Sequence, residues 1–212
     1  MKVVFTVLLI LLQSDSFTKF TYCVERSRGP FERQCVELNP AGKGQARMKR
    51  RGFDEIKVDV SLSAAARDRY LGIIAATNNL EGSVESYEAG LKNVADLGKK
   101  HLTLEMPSES PREKIFNYSV RKEVIDLGSF FDGIFNEEMI SLEIDNAIQF
   151  DKLAIPKQLE RVEADLKNNR IADPERLIPI LDKIQADARL INYARARAVK
   201  MKEQILAKKV PR

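Results

Sequence analysis

The sequence predicts an all-α fold: an elongated antiparallel helical bundle with coiled-coil-like long helices, preceded by a mostly irregular N-terminal segment. Three observations carry this expectation. Ala66, Tyr70, Ile73, Thr77, Leu80, Val84, Tyr87, Leu91, Val94, Gly98 and His101 recur with alternating spacings of four and three, the seam of a heptad helix. A second stripe, Phe116, Val120, Val124, Leu127, Phe131 and Ile134, keeps the same spacing and is widened by Phe130 and Phe135. A third runs through Leu177, Leu181, Ile184, Ala188, Ile191, Ala198 and Ile205.

In chain order, Lys2 precedes an apolar run from Val3 to Leu12, and Ser14 and Ser16 place small residues where a signal peptidase reads. The run has ten residues, too few to span a bilayer as a helix, which takes about 20. Residues 1–16 therefore read as a signal peptide with Ser16 at the cut, and the protein as secreted.

In an oxidising compartment Cys23 and Cys35, the only two cysteines, are expected to form one disulfide around a loop holding Arg26, Arg28, Gly29 and Pro30. Without export the chain would be cytoplasmic and both would be free thiols. A basic run, Arg47-Met48-Lys49-Arg50-Arg51, follows Asn39-Pro40-Ala41-Gly42. It reads either as a flexible linker or as a processing site, with Arg47, Lys49 and Arg50 filling the acidic subsites of a furin-like convertase. Residues 17–52 are thus a basic, disulfide-looped segment or pro-segment, and 53–212 the helical domain.

Ile56, Val58 and Val60 alternate with Lys57 and Asp59, a short extended lead-in. The long seam helix then runs to Pro107. Ser110-Pro111-Arg112-Glu113 has the form of a capping box and predicts the start of the second helix. Asn136 would cap its continuation through Met139, Ile140, Ile144, Ala147 and Ile148. A short helix is expected after Pro156 and a long one after Asp173-Pro174, kinked at Pro179. Its cationic side chains, Arg189, Arg195, Arg197, Lys200, Lys202, Lys208 and Lys209, predict an acidic partner helix, from the chain's own middle segment or another protomer.

Charge is uneven. Residues 1–52 carry a net +6, residues 53–175 a net −9 and residues 176–212 a net +7. An acidic middle repels phosphate, and no aromatic RNA-binding motif, finger or zipper region accompanies the basic ends, so nucleic acid is not an expected partner. One histidine and two cysteines cannot supply the four ligands of a structural zinc site. His101, on the first seam, reads as packing. Glu137-Glu138 and Asp54-Glu55 are chain neighbours, which on a helix diverge by about 100°, and read as solvated faces. No nucleotide-binding glycine motif or nucleophile elbow occurs, so no catalytic residue, metal or cofactor is assigned. Asn117-Tyr118-Ser119 is a glycosylation sequon that a helix surface would expose.

The order of long helix, proline break, long helix and basic terminal helix, with Leu190-Ile191-Asn192-Tyr193-Ala194-Arg195, resembles BAR-type membrane-curving domains. That resemblance implies contact with anionic membrane surfaces. The residues themselves predict a secreted, non-enzymatic protein acting through protein–protein contacts, self-association among them. A small apolar-ligand carrier built around the phenylalanines is the third expectation.

Overall fold

The computed structural model describes residues 17–81 and 97–207. Six strands form one antiparallel sheet: β1 (Lys19–Glu25), β2 (Phe31–Leu38), β3 (Lys43–Arg50), β4 (Glu55–Ser61), β5 (Lys99–Glu105) and β6 (Arg112–Phe116), in the order β4-β3-β2-β1-β5-β6. Five helices accompany it: α1 (Ala64–Ala76), α2 (Lys122–Phe150), α3 (Ile155–Lys167), α4 (Ile178–Ala186) and α5 (Asn192–Ala207). The fold is α+β, which corrects the all-α, coiled-coil and helical-bundle expectation.

Each departure has a local cause. The N-terminal segment is not irregular: β1, β2 and β3 occupy most of residues 17–52. Their alternation is blurred in the sequence because Tyr22, Cys23 and Val24 are all buried, as are Gln34, Cys35 and Val36. The disulfide lies on the face opposite the core, so both faces read as apolar there. Gly52, at φ +72°, turns β3 into β4, and the chain at this point is a hairpin inside one sheet.

The long seam breaks after α1. Its first positions are helical, with Ala66 and Tyr70 buried; the seam's Ile73 is half-buried, and its neighbour Ile74 is buried in its place. Asn78, Asn79 and Leu80 then take positive φ values of 53°, 48° and 58°, which ends the helix. Val84, Tyr87, Leu91 and Val94 lie outside the described residues. The last expected seam residue, His101, stands in β5, where Leu102 and Leu104 alternate into the core. Ser110-Pro111-Arg112-Glu113 leads into β6 instead of capping a helix, so Phe116 is a strand residue and Val120 is exposed.

The second helix starts at Lys122 and runs unbroken through Asn136, which caps nothing. Its stripe Val124, Leu127, Phe131, Ile134, Ile140 and Ile144 is buried as the spacing predicts. The expected terminal helix is two helices. Pro179 sits in the first turn of α4, where its missing N–H costs nothing, and the chain turns at Asp187–Leu190 before α5.

Two cores result. Phe20, Tyr22, Val36, Leu38, Met48, Leu102 and Leu104 of the sheet pack against Tyr70 of α1 and Leu127, Phe130, Phe131 and Ile134 of α2. Tyr22 stacks on Phe131 with ring centroids 5.0 Å apart. The far half of α2, from Ile140, forms the second core with Leu159, Leu181, Ile184, Ala198 and Met201 of α3, α4 and α5. Helix α2 belongs to both, and the BAR-like arrangement of long paired helices is absent from the described residues.

Candidate functional site

The strand ends of the sheet and the middle of α2 enclose a groove of about 540 Å³. Phe31 of β2, Ile56 of β4 and Phe135, Met139 and Leu142 of α2 supply its apolar lining. Polar groups enter from several elements. Arg26, just past β1, donates to Gln34 Oε1, and its other terminal nitrogen lies 3.8 Å from Asp132 of α2. Arg161 of α3 donates to Glu143 of α2 at 2.6 Å.

Arg50 differs from these two. Its guanidinium carbon lies 5.9 Å from the Phe31 ring centroid and 5.1 Å from that of Phe53, and among the described residues it makes no ion pair. Two rings therefore hold a planar cation whose carboxylate-binding edges are unused. Phe53 is 62% exposed.

Beside the groove, Lys100 of β5 donates to the carbonyls of Asn117 and Leu97 at 2.8 and 3.1 Å, and burial holds its pKa below the ordinary lysine value. The Tyr22 hydroxyl, fully buried, has no hydrogen-bond partner among the described residues; burial raises its pKa far above the usual phenol value.

Where α2 passes between the two cores lies a buried polar cluster. Glu137 and Glu138 are 1% and 5% exposed, so the expectation of solvated carboxylates is corrected. Arg176 reaches both: it donates to Glu137 at 3.0 Å and to Glu138. Burial pushes the Glu137 carboxyl up to about 8, against the opposing pull of Arg176 and of the Asp173 backbone N–H. Glu137, Glu138 and Arg176 do not line the groove beside Arg50, and the cluster works as a structural tie.

The residues singled out in the sequence are scattered. Cys23 and Cys35 form the disulfide from directly opposite positions of β1 and β2, Cα atoms 4.1 Å apart. No helix of the described residues is long and apolar enough to cross a membrane. Ser16 lies outside the described residues. Arg47, Lys49 and Arg50 belong to β3, an interior strand paired on both sides. Arg47 is ion-paired with Glu37 there, so the run is sheet and not linker. His101, directly opposite Cys23, lies 3.8 Å from a Glu25 oxygen. Asn117 follows β6, outside any helix, and its Nδ2 donates to the Gly98 carbonyl at 2.7 Å, which occupies the atom a glycan would take.

Part of the predicted basic face is paired within the chain: Arg197 and Lys202 of α5, and Arg189 just before it. Arg197 donates to Glu163 and Glu160 of α3, Lys202 to Asp182 of α4, and Arg189 to Asp187. For Arg197 the acidic groups come from α3 of the same chain, one of the two sources the sequence left open for this helix. Lys200 is exposed, Arg195 is half-buried with an unpartnered Nε, and Lys208 and Lys209 lie outside the described residues.

Sequence reasoning missed the setting of Arg50 between two rings, since it read the residue only within a basic run. A signal was present in Phe53, an aromatic three residues on, across a Gly-containing turn. Among the described residues no group of three or more His, Cys, Asp or Glu side chains is placed to hold a metal ion. No protein-family model matches the chain, and no curated protein sequence matches it.

Proposed function

We propose that this chain is an exported, non-enzymatic binding protein that takes a short segment of a partner protein into the groove between the sheet and α2. An acidic side chain of that segment meets Arg50, and an apolar neighbour enters between Phe31, Phe135 and Met139. The observation that carries the reading is the Arg50 guanidinium, held by the Phe31 and Phe53 rings at the edge of an apolar-lined groove with no carboxylate of its own. A preorganised guanidinium takes a carboxylate through two parallel hydrogen bonds, and an aromatic and aliphatic pocket gives such an interface its anchor. Export is supported by the Val3–Leu12 run behind Lys2 and by the Cys23–Cys35 disulfide.

Panning random heptapeptides displayed on phage against the wild type and Arg50→Glu tests this. The wild type should enrich peptides with Asp or Glu beside a large apolar residue, and the variant should lose them. No enrichment, or one consensus from both proteins, overturns the reading.

One observation favours contact with an anionic membrane surface as a second reading. At the α2–α3 corner Phe150 and Leu153 are 83% and 84% exposed on either side of Lys152. The ion pairs of Arg197 and Lys202 with α3 and α4 take up two of the terminal helix's cations, so this reading rests on the corner instead. Co-sedimentation with phosphatidylserine vesicles should then be lost in Phe150→Ser/Leu153→Ser; sedimentation unchanged in that variant, or none in the wild type, rejects it.

A further inference from the structure

A second groove, of about 860 Å³, opens where α1, α3 and α5 meet. Its size falls in the range of small-molecule sites. Ala66 of α1, Leu166 of α3, Ile171 just after α3 and Ile205 of α5 give it apolar walls. Arg69, Lys167 and Lys200 line it from the three separate helices. Arg69 sits over the Phe130 ring at 5.4 Å, and none of the three makes an ion pair among the described residues.

None of the three carboxylates around the same groove makes an ion pair with these cations among the described residues, although Glu163 is near enough to Lys200 for the two charges to attract. Glu163 is held by Arg197 through two hydrogen bonds of 3.1 and 2.6 Å. Asp173 is buried and accepts from the Ser63 backbone N–H at 2.6 Å; Glu175 is the third acidic lining residue. Three cations brought together on one concave, partly apolar surface repel one another, and an anion with an apolar body relieves that repulsion while covering the walls.

We infer that this groove binds a small amphipathic carboxylate of the medium-chain acyl class. The carboxylate meets Arg69, Lys167 and Lys200, and the hydrocarbon lies along Leu166, Ile171 and Ile205. The site is separate from the Arg50 groove and stands or falls independently of the peptide reading.

The probes are hexanoate, octanoate, decanoate and decanol, followed by amide NMR titration of the full chain. Decanoate should bind saturably and shift Ala66, Ile171 and Ile205, leaving Arg50 and Phe31 unmoved. Affinity should rise up to about fourfold per added methylene along the acid series, and decanol should bind at least tenfold more weakly than decanoate. Arg69→Glu/Lys200→Glu, two exposed substitutions, should lower decanoate affinity at least tenfold with the thermal midpoint within a few degrees of wild type. Equal binding of decanoate and decanol overturns the inference, as do shifts centred on Arg50 or undiminished binding by a folded double variant. Should that variant fail to fold, the decanoate-to-decanol ratio and the shift map of the wild type decide.

Discussion

The backbone N–H of Asp173 donates to Glu137 Oε1 at 2.5 Å, while the Asp173 carboxylate accepts from the backbone N–H of Ser63 at 2.6 Å. One residue thus ties the middle of α2 to the N-cap of α1. The sheet-side core and the helical core meet at this point, and Arg176 of the same turn closes the cluster on Glu137 and Glu138. Every partner is engaged, which is the condition under which a buried polar network stabilises rather than strains a fold.

Replacing Asp173 by Ala removes the acceptor and leaves the Ser63 N–H with no partner from that side chain. The expected cost is about 1–3 kcal/mol, the penalty of a buried group left unsatisfied. Urea unfolding should show the midpoint falling with an unchanged slope. Asp173→Asn, which keeps an acceptor oxygen, should recover part of the loss.

Glu137 predicts a pH dependence of definite sign. Its folded value of about 8 lies above the ordinary 4.5, so the folded state holds the proton more tightly than the unfolded chain. Stability from this group is fully present below pH 4.5 and is lost as pH rises to about 8, with a slope of at most about 1.4 kcal/mol per pH unit. Glu137→Gln, which does not titrate, should flatten stability against pH across that window. A slope identical to that of the wild type between pH 5 and 8 would contradict the assignment.

How much of this was legible in the sequence differs from element to element. The α2 stripe was, because Val124, Leu127, Phe131 and Ile134 face one large core and keep a single period. The sheet was not, because a cross-strand disulfide buries the outward face at Cys23 and Cys35 and erases the alternation that marks a strand. The seam from Ala66 to His101 shows the opposite error. Leu80 and His101 keep the spacing, although the backbone leaves the helix at Asn78 and His101 stands in β5, where Leu102 and Leu104 carry a period of two. Arg50 was named in the sequence for its charge, whereas its setting depends on two rings, Phe31 brought opposite it by the β2–β3 pairing and Phe53 by the β3–β4 turn. Glu137 and Arg176, 39 positions apart, have no local signal at all.

Two glycines provide a paired test of packing. A Cβ on Gly133 of α2 would stand 2.8 Å from the Ala172 nitrogen and 3.0 Å from its Cβ, so backbone must move to admit it. Gly133→Ala should destabilise by about 1–3 kcal/mol, as overpacking does. At Gly72, inside α1, a Cβ meets nothing within 4 Å. Gly72→Ala should therefore stabilise by about 0.5–1 kcal/mol through helix propensity. Thermal midpoints moving in opposite directions would bear out both environments.

The disulfide should be worth most to the sheet's centre. Cys23 and Cys35 are 12 positions apart and stand opposite each other in β1 and β2, the two middle strands of the six. In the chain-entropy picture, closing a loop of that length removes roughly 3 kcal/mol of freedom from the unfolded chain. Both sulfur-bearing residues are nearly buried, at 5% and 3% exposure, so folded protein should resist alkylation until it is reduced under denaturing conditions. The double substitution Cys23→Ala/Cys35→Ala should keep the sheet, because the strand register also rests on Tyr22, Val24, Val36 and Leu38 in the core. Its unfolding free energy should fall by about 2–4 kcal/mol, and far-UV circular dichroism should stay close to that of the wild type. Rapid labelling of both cysteines in the native protein would show that the bond does not form, and would remove its support for export as well.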